Sequence, residues 1–188
     1  MMRTLALLFT LPLFFSSAFG ASSVILEEHF DTPSDLGAFS QASVTSNFSW
    51  RWLENNFDGQ FVEMNGFGTD GPSDDWMILT DPLDLGDFAN PNLTFKFITN
   101  FGGPIIELMA SSDYDPAIHA DPADATWAVL PFYTEGTESE PDSGGWIPQF
   151  SDVVDLAPHK SDRLYIGFRY ISTGSAGGEG AVWRVAYR

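Results

Sequence analysis

Glycine and proline interrupt this chain so often that no long helix fits between them. The runs between these breaks are short and rich in β-branched and aromatic residues, which is typical of strands. The predicted strands are Ser23–His29, Phe48–Leu53, Gln60–Met64, Trp76–Thr80, Leu93–Thr99, Ile105–Ser111, Trp127–Phe132, Leu164–Ser172 and Ala181–Tyr187. The chain is therefore expected to be all-β.

Two of these runs show how the strands should pack. In Leu93–Phe97 and Leu164–Tyr170 the apolar side chains recur at every second position, as a strand buried on one face requires. About nine or ten such strands with turns between them favour a two-sheet antiparallel jelly-roll sandwich. The polar, aperiodic segments Asp113–Asp124 and Thr134–Gly145 are predicted to be long loops at its ends.

The charge balance excludes one class of partner and favours another. The 188 residues include 26 Asp and Glu but only 8 Lys and Arg, a formal net charge of -18. Such a field repels phosphate backbones, so a sequence-independent nucleic-acid binder is excluded, whereas cations are attracted. The chain has no cysteine, so its stability must come from packing, with divalent metal as a further source.

The first 20 residues are predicted to be a secretory signal peptide. A single charge at Arg3 precedes an apolar run from Leu5 to Phe15, and small residues lead to an expected cut before Ala21. The run is too short for a membrane anchor, and no later segment is apolar for long enough to span a bilayer. We expect one mature domain, residues 21–188, that is secreted, either extracellular or periplasmic.

Six segments, in the right order, resemble motifs of the choice-of-anchor J and cleaved-adhesin domains, which are jelly-roll modules of exported bacterial proteins. Their shape is similar to that of galactose-binding and MAM domains. The matching segments are Glu28–Asp31, Asp74–Leu85, Glu107–Asp115, Ala125–Trp127, Asp152–Leu156 and Leu164–Tyr170. The resemblance implies a non-catalytic module that serves recognition or attachment.

The resemblance also implies a structural calcium ion. Glu28 and Asp31 match the family's usual donors, and Asp75 is expected near Glu28 if the sheet order follows the family. In the last strand, however, Ala186 stands where the family places an acidic residue. We name Glu28, Asp31 and Asp75 as the candidate metal ligands, with calcium as the expected cofactor.

The candidate ligand-binding residues lie in the two long loops. Trp146 follows Gly144-Gly145, and with Tyr133 it is the best candidate for an exposed aromatic contact; packing over the end of the sandwich is the alternative. Asp113 and Asp115 supply carboxylates in the other loop, which is either a binding loop or a solvated acidic surface. Trp50 and Trp52 share a strand face and could form a platform, although burial is the favoured interpretation.

No catalytic residues are predicted. The chain has no nucleophile elbow, phosphate-binding loop or zinc-protease motif, and its three histidines are far apart. Arg169 is expected to form a structural ion pair with a neighbouring strand, with Glu107 as a candidate partner. The favoured function is a binding module of the adhesin or carbohydrate-recognition type, whose partner is an extracellular glycan or a cell-surface protein. The alternatives are an accessory domain or remnant of a secreted nuclease or protease, and an extracellular polysaccharide hydrolase.

Overall fold

A computed structural model describes residues 23–45, 49–55, 59–66, 72–101, 106–141, 145–172 and 182–186. The predicted signal peptide lies outside the described residues. The strands within them are β1 (Phe39–Ser43), β2 (Arg51–Asn55), β3 (Gly59–Asn65), β4 (Ser73–Leu79), β5 (Asn92–Leu93), β6 (Lys96–Asn100), β7 (Glu107–Ser111), β8 (Ala128–Leu130), β9 (Gln149–Phe150), β10 (Val154–Asp155), β11 (Tyr165–Ser172) and β12 (Val182–Ala186). The described helices are two 3-10 turns, Pro122–Asp124 and Ala157–His159.

Ten of the strands form two five-stranded sheets. The front sheet has the order β1-β4-β11-β7-β8, the back sheet has the order β2-β3-β12-β6-β9, and β5 pairs with β10 separately. Every strand pair is antiparallel. Because the chain passes repeatedly from one sheet to the other, the predicted two-sheet antiparallel jelly-roll sandwich is confirmed.

Aromatic rings fill the space between the sheets. Phe168 of the front sheet lies 5.1 Å from Phe95, centroid to centroid, and Phe97 of the back sheet lies 5.6 Å from Trp183. All four side chains are at most 6% exposed. Such rings bury more apolar area than any other side chains, so a core without disulfides gains most of its stabilisation from them.

The first predicted strand, Ser23–His29, is wrong: this segment lies outside every sheet. Phe30 directly after it has a left-handed backbone, with φ of 57°, which ends an extended run. The strand at the edge of the front sheet is instead β1, whose sequence, Phe-Ser-Gln-Ala-Ser, has few of the usual strand residues. Sheet edges often carry such polar strands because one side of the ladder is left to solvent.

The predicted half-buried character of Leu164–Tyr170 is also wrong. On β11, Tyr165 to Phe168 and Tyr170 are all buried, on both faces of the strand. The reason is the chain between β7 and β8, which covers the outward side of the front sheet rather than lying at the end of the sandwich. A Cβ at Gly167 would lie 3.6 Å from the Trp127 ring, and that ring lies 4.9 Å from Trp76.

The described part of the last strand, Val182–Ala186, pairs on both sides, a question that the sequence left open. β12 occupies the centre of the back sheet, between β3 and β6. Trp183 and Val185 face the core, so Arg184 points outward on the opposite side of the sheet. Within the described residues, no helix is long and apolar enough to cross a membrane.

Candidate functional site: an aromatic and basic surface on the back sheet

The predicted metal ligand Glu28 binds backbone rather than facing open space. Its Oε1 accepts a hydrogen bond from Phe30 N and its Oε2 one from Ala38 N, both at 2.6 Å. Gly37 lies directly against the carboxyl group, so that a Cβ there would be 2.2 Å from Glu28 Cδ. Glu28 therefore ties the N-terminal segment to the start of β1.

Asp75 lies inside the sandwich, and among the described residues no hydrogen bond or ion pair joins it to Glu28. It is 1% exposed, and its Oδ1 accepts a hydrogen bond of 2.6 Å from Ser43 Oγ on β1. Tyr170 faces it from β11, where the two residues are register partners. Burial, reinforced by the Asp75 charge, raises the pKa of Tyr170 to about 12.

The three predicted metal ligands do not fit a calcium site. Glu28 holds backbone amides, Asp75 is enclosed, and Asp31 is exposed. In the described part of the chain, no group of three His, Asp or Glu side chains is close enough to hold a metal ion. Calcium stays a prediction, and the function proposed below does not depend on it.

Asp113 lines a cleft at the end of the front sheet. Its Oδ1 accepts hydrogen bonds from Ser111 Oγ at 2.8 Å and from Thr126 N at 2.9 Å, and these lower the pKa of Asp113. The cleft has a volume of about 420 Å³, and His159 and Lys160 also line it.

Asp115 and Tyr133 serve the local structure. Asp115 Oδ1 accepts a hydrogen bond from Ala117 N at 2.9 Å, and its Oδ2 lies 3.6 Å from Arg163. Tyr133 is half-buried and packs edge to face on Phe132, a core residue, with ring centroids 5.2 Å apart. Neither residue contacts Trp146.

Trp146, by contrast, lies on the outward side of the back sheet. Its side chain is 36% exposed, whereas Trp50, Trp76 and Trp183 are at most 2% exposed. Trp52 is half-buried and donates its indole N–H to Phe30 O at 2.6 Å. The predicted burial of Trp50 and Trp52 is thus correct for Trp50 and partly correct for Trp52. Trp146 is more exposed than Trp50, Trp76 and Trp183.

A guanidinium group supports the Trp146 ring from below. The Cζ atom of Arg184 lies 4.0 Å from the Trp146 ring centre and 4.6 Å from that of Phe61, so it is stacked between two aromatic rings. Its Nε donates to Glu63 Oε2 at 2.9 Å, while Arg51 Nη2 donates to Glu63 Oε1 at 2.7 Å. These cation-π and charge-assisted contacts fix the ring on a rigid sheet.

Exposed apolar side chains extend this surface around Trp146. Phe101 packs edge to face against it, with centroids 6.0 Å apart. Phe101, Ile147 and Phe150 are 52%, 53% and 45% exposed. We call Phe101, Trp146, Ile147 and Phe150, with Arg51, Lys96 and Arg184 beside them, the back-sheet surface.

Both aromatic residues at the centre of this surface have a left-handed backbone. The φ angles are 66° at Phe101 and 58° at Trp146, in a region that residues other than glycine rarely adopt. Such conformations cost on the order of 1–3 kcal/mol each and are concentrated at functional sites. The back-sheet surface therefore has both exposed apolar area and strained backbone, which makes it the candidate site.

Of the four residues predicted to bind ligand, only Trp146 lies on this surface. Sequence reasoning missed Phe101, Arg51 and Arg184. Side chains alternate between the two faces of a strand, so the core residue Trp183 places its neighbour Arg184 on the outward face. The sequence therefore contained a signal for Arg184. The contact between Phe101 and Trp146 joins residues 45 positions apart and had no local signal.

The fold and this surface define a class: a β-sandwich module with an exposed aromatic surface on one sheet. Among solved structures, the chain is similar to the K1 cleaved adhesin domain of Lys-gingipain from Porphyromonas gingivalis, with a TM-score of 0.51 and 16% sequence identity. The match covers 87% of this chain and 98% of that domain. It confirms a cleaved-adhesin-like fold, whereas the choice-of-anchor J relationship stays a prediction. No protein-family model matches the chain, and no curated protein matches it significantly.

Proposed function

We propose that this protein is an exported, non-catalytic binding module of the adhesin or carbohydrate-recognition type, and that the back-sheet surface is its binding site. The observation that supports the proposal is the exposed ring of Trp146. The Arg184 Cζ atom lies 4.0 Å from its ring centre and holds it on the sheet. Its fold, shared with an adhesin domain, supports the same function.

The chemistry of the surface suits sugars. The apolar face of a pyranose ring stacks on an exposed aromatic ring, and nearby polar groups then exchange hydrogen bonds with its hydroxyls. Arg184 covers one face of the Trp146 ring, so the exposed area of the ring comes from the other face and the edge. In the described part of the chain, the Trp146 indole N–H has no hydrogen-bond partner and is free to donate to a ligand.

Rigidity is the second requirement that the surface meets. Arg184 belongs to the central strand of a five-stranded sheet, and its partner Glu63 is 3% exposed on the adjacent strand. A platform fixed before binding loses little side-chain entropy when the ligand arrives. This favours measurable affinity from a small contact area.

A glycan array and a cell-surface binding assay test the proposal. We expect the wild-type protein to bind a subset of extracellular glycans. Trp146→Ala should lower the affinity at least about tenfold, because it removes a central aromatic contact. Ile118→Ala is the matched control, because Ile118 is an apolar side chain, 73% exposed, on the loop that covers the other sheet.

The outcomes separate the alternatives. If the wild type binds no glycan and no cell surface, the binding function is wrong. If Ile118→Ala weakens binding as much as Trp146→Ala does, the site is misplaced. If the purified protein degrades a polysaccharide, the hydrolase alternative replaces the binding module.

A further inference from the structure

We propose that the cleft at the end of the front sheet is a second binding site, and that its ligand is a free amino acid with an apolar side chain. The cleft belongs to the other sheet from the back-sheet surface, so this site goes beyond the proposed function and does not depend on it. Two residues of opposite charge, Asp113 and Lys160, line this one cavity and form no ion pair with each other.

Strand register brings the cleft together from three segments that are distant in sequence. Ser111 at the end of β7 is the register partner of Tyr165 at the start of β11. The residues after β7 therefore lie beside the residues before β11, which is why Asp113 and Lys160 line the same cleft. The segment that leads into β8 supplies Trp127 as a third part of the lining.

The Asp113 side chain is exposed, fixed in place and negatively charged. Its Oδ1 accepts hydrogen bonds from Ser111 Oγ at 2.8 Å and from Thr126 N at 2.9 Å. Hydrogen bonds from Ser111 and then from Thr126 lower the pKa of Asp113, so the group is a carboxylate at neutral pH. Because a carboxylate has about four acceptor sites on its two oxygens, Asp113 can also accept hydrogen bonds from the ammonium group of a ligand.

Lys160 supplies the positive charge of the cleft. It is exposed and directly follows the 3-10 turn Ala157–His159, where its backbone N–H donates to Ala157 O. Among the described residues, no carboxylate forms an ion pair with the Lys160 ammonium group. Its three N–H donors are therefore available to the carboxylate of a ligand.

Two separate opposite charges select a ligand that carries both. A free amino acid has an ammonium group for Asp113 and a carboxylate for Lys160, and both contacts are charge-assisted hydrogen bonds. An amine alone leaves Lys160 without a counter-charge, an acid alone places a like charge near Asp113, and a neutral sugar leaves both charges partly desolvated and unpaired. The net charge of -18 also attracts an ammonium group and repels simple anions.

The size and the apolar lining of the cleft indicate the side chain of the ligand. The volume of about 420 Å³ lies near the lower end of the range for small-molecule pockets, roughly 300–1,000 Å³. Apolar side chains that line the cleft are those of Trp127, Ala128, Pro158 and Leu164. The Trp127 ring is partly exposed and is held by a hydrogen bond of 2.8 Å from its indole N–H to Pro122 O. This space suits one amino acid whose apolar side chain packs on the fixed ring.

Calorimetric titration of the protein with each of the common amino acids tests the inference. We expect at least one amino acid with an apolar side chain to bind, and glycine, which has no side chain, to bind more weakly. The amide of the tightest ligand lacks the carboxylate, and its N-acetyl form lacks the ammonium group. Each of these derivatives should bind about tenfold or more weakly, because each loses one charge-assisted contact.

Two variants assign the two ends of the ligand to residues. Asp113→Asn should weaken binding of the amino acid and of its amide, which keep the ammonium group, but not of the N-acetyl form. Lys160→Gln should weaken binding of the amino acid and of the N-acetyl form, but not of the amide. A folding defect does not produce this crossed dependence, and thermal melting of each variant checks it separately. Lys96→Gln, on the back sheet, is the matched control and should retain full binding.

The two proposals fail in different ways. If no amino acid binds, or if the amino acid, its amide and its N-acetyl form bind equally, the inference about the cleft is wrong and the proposed function stands. Binding that survives both Asp113→Asn and Lys160→Gln also overturns the inference, because the site then lies elsewhere. Trp146→Ala should leave amino-acid binding unchanged. A blank glycan array together with amino-acid binding in the cleft refutes the proposed function alone.

Discussion

Arg169 on β11 donates two parallel hydrogen bonds to Asp74 on the adjacent strand β4. Nε lies 2.8 Å from Oδ1, and Nη2 lies 2.6 Å from Oδ2. The guanidinium also lies 4.8 Å from the ring centre of Trp76, with Glu107 3.5 Å away as a second carboxylate. The structural ion pair predicted for Arg169 is therefore present, with Asp74 as its closer partner.

Removing this guanidinium should destabilise the protein. Because both partners are largely buried, Arg169→Met should lower the free energy of unfolding by about 2 kcal/mol, measured by urea denaturation. Arg163→Met is the control, since Arg163 is half-exposed and lies 3.6 Å from Asp115; it should cost less than about 0.5 kcal/mol. Equal losses in the two variants would show that the Asp74 contact contributes nothing special.

Gly37 should not accept a side chain. Its φ is 62°, and a Cβ would lie 2.2 Å from the Glu28 carboxyl group, which holds two backbone amides. Gly37→Ala should therefore cost about 3 kcal/mol, measured by denaturant or thermal unfolding. Gly136→Ala is the matched control, because Gly136 has a φ of 79° and nothing within 4 Å of the added atom; it should cost about 1 kcal/mol from the backbone alone. If Gly37→Ala costs no more than its control, Glu28 does not anchor the segment.

Alkaline pH should weaken the fold through Tyr170. Its pKa in the folded protein is about 12, above the value of 10.0 for an exposed tyrosine, because burial and Asp75 oppose the phenolate. The contribution of the neutral Tyr170 to the free energy of unfolding is complete below pH 10. It is lost as the pH rises towards 12, which lowers the free energy of unfolding by about 2–3 kcal/mol. Stability curves for wild type and Tyr170→Phe should converge over this pH range, and parallel curves would exclude this role.

The tryptophans should differ sharply in solvent access. Trp146 is 36% exposed, while Trp50, Trp76 and Trp183 are at most 2% exposed. Acrylamide quenches exposed tryptophan rings more strongly than buried ones. The acrylamide quenching constant of Trp146→Phe should therefore be about half that of the wild type, or less. Unchanged quenching in Trp146→Phe would mean that the ring is covered in solution.

Chelation tests the calcium prediction directly. Since both oxygens of Glu28 accept backbone hydrogen bonds and Asp75 is enclosed, EDTA should change Tm by less than about 1 °C, as expected without specific metal linkage. A rise of several degrees with calcium, lost in Asp31→Asn, would instead restore the predicted site.

Much of the fold could be predicted because strand signals are local. Alternation in Leu93–Phe97 and the dense punctuation by glycine and proline point to a sandwich without knowledge of any contact. The failure at β11 has a tertiary cause, because which faces of a strand are buried depends on what covers them. Trp127 and Tyr114 cover the outward side of the front sheet, so β11 is buried on both faces, and its pattern alone did not show this.

The back-sheet surface shows the same division. The sequence by itself determined that the chain is acidic, free of cysteine, built of short strands, and that Trp146 follows a glycine pair in a loop. The tertiary structure alone decided that Trp146 meets Arg184 and Phe101, and that Glu28 and Asp75 lie apart. The physical reason is that hydrophobic periodicity is set within a few residues, whereas a site brings together side chains distant in sequence, whose positions follow from sheet order and register.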